Sequence, residues 1–119
     1  MQAHANDLRA EVKNEWDTLS ATLLPDDAGL DNFVHQIVDD WRESPVSNAV
    51  RALAEFAEKV THSPAACTET DISALRAAGW CDTSIHDAVQ VVAYFNYINR
   101  VADALGVEAE KGLPHWGRR

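Results

Sequence analysis

The sequence is most informative first through what it has little of. Two cysteines among 119 residues, Cys67 and Cys81, stand too far apart to form a C-x-x-C pair, and no disulfide framework is expected. Basic residues are scarce: the formal charge is −9, and the only basic cluster is Arg118-Arg119. Phosphate binding needs clustered Lys and Arg, so a nucleic-acid role is excluded. No run approaches the length of a membrane span, and the N-terminus lacks the apolar stretch of a signal peptide. A cytoplasmic protein with two reduced thiols and no membrane association is therefore expected. No segment alternates with period two over a strand's length, and no repeat or low-complexity tract interrupts the chain.

What is present is helical periodicity. The chain reads as a single domain of about five helices, all-α, with an irregular tail over 107–119 where Gly112, Pro114 and Gly117 fall. The first helix spans about Gln2 to Glu15, with His4, Leu8 and Val12 on one face and Trp16 continuing it. Pro25, Asp26, Asp27 and Gly29 break the pattern. A second helix, about Leu30 to Arg42, repeats Phe33, Val34, Ile37, Val38 and Trp41. Ser47 caps a third to about Thr61, whose buried side holds Val50, Leu53, Phe56, Ala57 and Val60. Thr68 with Asp71 is a variant capping box opening a short fourth helix that Gly79 stops.

The fifth helix, about Asp82 to Leu105, is apolar on two sides. Ile85, Val89 and Val92 share one face with Asn96 and Asn99, while Tyr94, Ile98, Val101 and Leu105 form another. A helix apolar on both sides lies between other helices, so it is expected to be the central element of the domain. Asn96 and Asn99 lie one turn apart amid apolar residues. Holding the backbone ends of neighbouring helices is the favoured role for them, because an unsatisfied buried amide costs about 1–3 kcal/mol. Contact with a pocket is the alternative. Arg100, with acids such as Asp103 nearby, is read as a structural ion-pair former.

Chemistry-bearing constellations are few. His35, His62, His86 and His115 have no ligand spacing, and neither a metal site nor a cofactor is expected. The doublets Asp26-Asp27 and Asp39-Asp40 read as solvated caps, not as an acid/base pair. Cys81 occupies a capping position and Cys67 a polar loop, a better reading than a substitute redox pair.

From Ala57-Glu58-Lys59-Val60-Thr61 through Thr68-Glu69, Leu75 to Gly79, Val92-Ala93-Tyr94-Phe95-Asn96 and Asn99-Arg100 to Glu108, the chain resembles the carboxymuconolactone decarboxylase/alkylhydroperoxidase D superfamily. It looks closest to the branch of uncharacterised peroxidase-related enzymes. Ala3-His4-Ala5 then looks like the end of the family's C-x-x-C-x-x-x-H motif, with His4 matching the proton-relaying His. The resemblance implies an alkylhydroperoxidase D-like bundle and a thiol-dependent antioxidant enzyme that reduces hydroperoxides with a dithiol reductant.

The second cysteine of that motif would immediately precede Met1, so the redox cycle cannot run on these residues and His4 is vestigial. Two explanations stay open. The start codon is misassigned, or the gene is truncated or the activity lost. The neat cut favours a misassigned or truncated start, with an in-frame C-x-x-C encoded upstream. Without it, the chain is a non-catalytic helical module. A decarboxylase is a further alternative, but no basic catalytic cluster recommends it. Apolar sides left uncovered on the first and last helices favour a homo-oligomer built on a dimer.

Overall fold

A computed structural model describes residues 8–10, 13–14, 16, 25–108 and 111–112. The fold is all-α. Residues 8–10, 13–14 and 16 are helical, and four further helices follow: α1 (Asp27–Asp40), α2 (Asn48–His62), α3 (Glu69–Ala77) and α4 (Asp82–Ala104). Short 3₁₀ turns occupy Trp41–Glu43 and Pro64–Ala66, and there is no strand among the described residues. Most of the expected first helix, with His4 and Val12, lies outside the described residues. Of the expected irregular tail, Val107 and Glu108 have no regular structure and residues 111–112 form a turn.

Contacts divide the chain into two compact units, Met1–Ser47 with Glu108–Arg119, and Asn48–Val107. In the first, Trp16, Leu30, Phe33 and Val34 are buried. Leu8 packs against both parts of this core, with Ile37 and Val46 on one side and Val38 on the other. The Trp16 and Phe33 rings meet edge to face at 4.9 Å, a favoured aromatic geometry. Arg9 donates to Asp31 and to Asp27 at 3.3 Å, and these carboxylates raise its pKa, chiefly through the Asp31 hydrogen bond. The Arg42 guanidinium lies 4.5 Å over the Trp41 ring centroid, within cation–π range.

The expected start of α1 at Leu30 is corrected to Asp27. Asp26 is its cap, accepting from the Gly29 backbone N–H at 2.8 Å, so the residues read as a break form the first turn. Gly29 is required there by close approach: a Cβ would sit 2.6 Å from the Pro25 Cβ. The other end is corrected as well. α1 stops at Asp40, whose carboxylate takes the Arg42 N–H at 3.0 Å, and the chain tightens into 3₁₀ geometry.

The second unit is built from α2, α3 and α4. Its centre is Phe56, Leu75 and Ile85, one from each helix, with Leu53, Val60, Ile72, Trp80 and Val89 packed around them. Local signals define its element ends. Thr68 and Asp71 form the expected capping box, with the Thr68 N–H donating to Asp71 Oδ2 at 2.8 Å. Both α3 and α4 end in Schellman motifs. At α3, Trp80 N–H reaches the Leu75 carbonyl at 3.1 Å and Gly79 N–H the Arg76 carbonyl at 3.0 Å. At α4, Val107 N–H reaches Ala102 at 2.9 Å and Gly106 N–H reaches Asp103 at 3.1 Å. Gly79 (φ 108°) and Gly106 (φ 68°) supply the positive φ that this turn demands.

Candidate functional site

α4 has two different sides. One faces α2 and α3: Ile85 is buried, Val89 packs against the core, and Val92 and Asn96 are half-buried. At its far end Asn96, Thr61 and Arg100 form a polar node. Thr61 Oγ1 donates to the Ala57 carbonyl at 2.8 Å and accepts from Asn96 Nδ2 at 3.1 Å. Arg100 donates to the Asn96 carbonyl and, from its other terminal nitrogen, to the Thr61 carbonyl, both at 3.2 Å. Thr61 lies in the last turn of α2, where carbonyls have no partner within the helix and a cation is favoured.

The node therefore ties the C-terminal end of α2 to the C-terminal part of α4. Arg100 spends its donors on carbonyl oxygens, where the sequence pointed to acids such as Asp103. Asn99, expected beside Asn96, is exposed. Thr61, which sequence reasoning did not single out as a partner, is 35 residues from Asn96, and no local signal links them.

The opposite side of α4 is not covered by α2 or α3 of its own unit. Val91, Tyr94, Ile98, Val101 and Leu105 are all exposed, Tyr94 by 59% and Leu105 by 75%. Phe95 and Tyr97 flank them and are exposed too. The periodicity correctly identified two apolar faces, and within the unit Asn48–Val107 one of them packs against α2 and α3. No helix of the described residues is long and apolar enough to cross a membrane.

A cleft of about 240 Å³ opens between α2 and α3, lined by Ala52, Glu55, Phe56, Lys59, Asp71, Ala74 and Leu75. Lys59 and Asp71 on its walls are paired with each other. Lys59 Nζ lies 3.0 and 2.9 Å from the two Asp71 oxygens. The Lys59 hydrogen bond, then the Thr68 N–H, holds the Asp71 carboxyl below its ordinary pKa. The apolar floor of the cleft, Phe56 and Leu75, belongs to the core.

Cys81 is the exposed N-cap residue of α4, and its sulfur lies 3.2 Å from Ser84 Oγ. Hydrogen bonds from the Ser84 hydroxyl, then from the Ser84 backbone, lower its thiol pKa. Cys67 is also a free thiol, half-buried against the core of this unit. Just beyond Cys81, Arg76 bridges Asp82 at 2.6 Å and Glu69 at 2.9 Å, fixing the junction of α3 and α4. No group of three metal-ligating side chains occurs among the described residues. His4, the residue matched to a proton relay, lies outside them.

No protein-family model matches this chain, and no curated protein matches it.

Proposed function

We propose that this chain is a non-catalytic helical module that acts by associating with itself, and that it is kin to the alkylhydroperoxidase-like proteins its residue pattern resembles. One observation carries the reading: the outer side of α4 exposes Val91, Tyr94, Phe95, Ile98, Val101 and Leu105 together. Contiguous apolar surface of this kind on a soluble protein marks an interaction site. With a net charge of −9 and two free thiols, the protein belongs in the cytoplasm.

The kinship implies a thiol peroxidase, but these residues do not supply its reaction. Reduction of a hydroperoxide by a dithiol leaves a disulfide, and the family does this with two cysteines one helical turn apart. Cys81 has no cysteine at that spacing, and Cys67 is fourteen positions away in sequence. Sedimentation velocity of the chain at micromolar concentration tests the reading, and a dimer or higher oligomer is expected. Consumption of hydrogen peroxide and tert-butyl hydroperoxide with dithiothreitol should run at the buffer rate. A monodisperse monomer, or turnover above that rate, would reject it.

A further inference from the structure

We infer that the outer stripe of α4 pairs with the same stripe of a second copy, antiparallel, about a twofold axis between Asn99 and Arg100. This rests on the self-association reading and adds the partner element, direction and register. Val91, Tyr94, Ile98, Val101 and Leu105 recur at steps of three, four, three and four residues. That is the spacing of a seam facing another helix, with side chains set into the gaps of its partner. All five are exposed.

Charge points to a second copy of this chain as the occupant. At −9 each, two copies carry a net mutual repulsion. From Val91 to Leu105 the seam positions, and the flanking Phe95, Tyr97, Ala102 and Ala104, carry no charge. Arg100 and Asp103 lie off the seam. Two copies therefore meet here without placing like charges together. The exposed fractions of Tyr94, Phe95, Tyr97, Ile98, Val101 and Leu105, which this register places opposite the second copy's α4, leave on the order of 600 Å² of side-chain surface. That approaches the roughly 800 Å² per partner of a standard interface.

Shape sets the direction. The bulky flanking residues, Phe95 and Tyr97, sit in the N-terminal part of the stripe, and the small ones, Ala102 and Ala104, in its C-terminal part. Antiparallel pairing puts Phe95 on the side of the second copy's Ala102, and Tyr97 on the side of its Ala104. The same register sets Ile98 against Val101 and Tyr94 against Leu105, each contact occurring twice, as an isologous twofold interface requires. Parallel pairing would crowd Phe95 against the other Tyr97 and align the two helix dipoles unfavourably.

The test combines assembly with direction. The wild-type chain should sediment as a dimer at micromolar concentration. Ile98→Glu should be a monomer with an unchanged far-UV circular dichroism spectrum, since Ile98 is already exposed. Nitroxide labels on Asn99→Cys and on Gln90→Cys, each in a chain carrying Cys67→Ala and Cys81→Ser, then report direction. In the antiparallel register the two labels at 99 lie about 2 Å apart along the axis and those at 90 about 28 Å apart, at about 1.5 Å per residue. The 90–90 distance measured by pulsed electron resonance should be clearly the longer. A wild-type monomer overturns both self-association and this register. A dimer with equal label distances, or one that survives Ile98→Glu, overturns the antiparallel pairing alone and leaves self-association standing.

Discussion

The Thr61–Asn96 contact makes the sharpest quantitative prediction for the second unit. Thr61→Val removes the hydroxyl but keeps the branched shape. It deletes the bond from Asn96 Nδ2 and the bond to the Ala57 carbonyl. Both side chains are half-buried, so water replaces part of what is lost, and a cost of about 1 kcal/mol follows from the usual net worth of such bonds. Asn96→Ala deletes the shared bond but leaves Thr61 bonded to Ala57, again at about 1 kcal/mol. The double variant loses the shared bond only once. Its destabilisation should fall short of the sum of the singles by about 0.5–1 kcal/mol, the coupling expected of side chains in direct contact. Arg100 holds backbone oxygens of Thr61 and Asn96, so its bonds survive in every variant and the helical spectrum should not change. Urea unfolding followed by far-UV circular dichroism, at a common slope, gives all three numbers. Additivity within about 0.3 kcal/mol would refute the pairing. A Thr61→Val variant as stable as wild type would show that Asn96 is not held by this hydroxyl.

Three further outcomes follow from the same unit. Leu75→Ala, at the centre of the three-helix core with 2% exposure, should cost about 2–5 kcal/mol in urea unfolding; a loss under 1 kcal/mol would mean that the core is assembled otherwise. Asp71 has a depressed pKa in the folded chain. Its contribution is thus complete above the unfolded carboxyl value of about 3.9 and disappears as pH falls through the lower folded value. The stability gap between wild type and Asp71→Asn should be widest near neutrality and narrow on acidification, and a gap independent of pH would contradict the Lys59 pairing. Cys81 should be alkylated by iodoacetamide with an apparent pKa below the ordinary thiol value and faster than half-buried Cys67. Ser84→Ala should raise that apparent pKa, because the Ser84 hydroxyl is the leading cause of the depression; an unchanged rate profile would remove Ser84 from the account.

Features set by a few neighbouring residues were legible in the sequence. Thr68 with Asp71, and the glycines at 79 and 106, mark their helix ends because the capping bonds and the positive φ are local requirements. The start of α1 was not legible, since glycine in a first turn reads as a break. Its reason is the Pro25 ring, which leaves no room for a Cβ at Gly29, and that closeness appears only once Asp26 has capped the turn. Periodicity disclosed both apolar faces of α4, but it measures which residues share a side, not what covers that side. Whether Tyr94 and Ile98 meet another helix of the same chain or of a second one is a matter of available partners. The 3-4-3-4 spacing suits a helix as partner without saying whose.

Arg100 shows most clearly how a reasonable local rule loses to a tertiary one. Three residues along the same helix, Asp103 offers an exposed carboxylate, and such a surface pair contributes about 0–1 kcal/mol because water screens it and two long side chains must be ordered. The end of α2 offers something water serves less well: the Thr61 carbonyl, in a last turn with no onward partner inside the helix. A guanidinium presents several donors in a fixed plane, so Arg100 can hold that carbonyl and the Asn96 carbonyl of its own helix together. The gain includes the favourable field at a helix C-terminus. Lysine could reach only one such oxygen with comparable geometry, which is why the charge alone does not define this position. The competing acceptor is 39 residues away, so the choice is made only after α2 and α4 have packed.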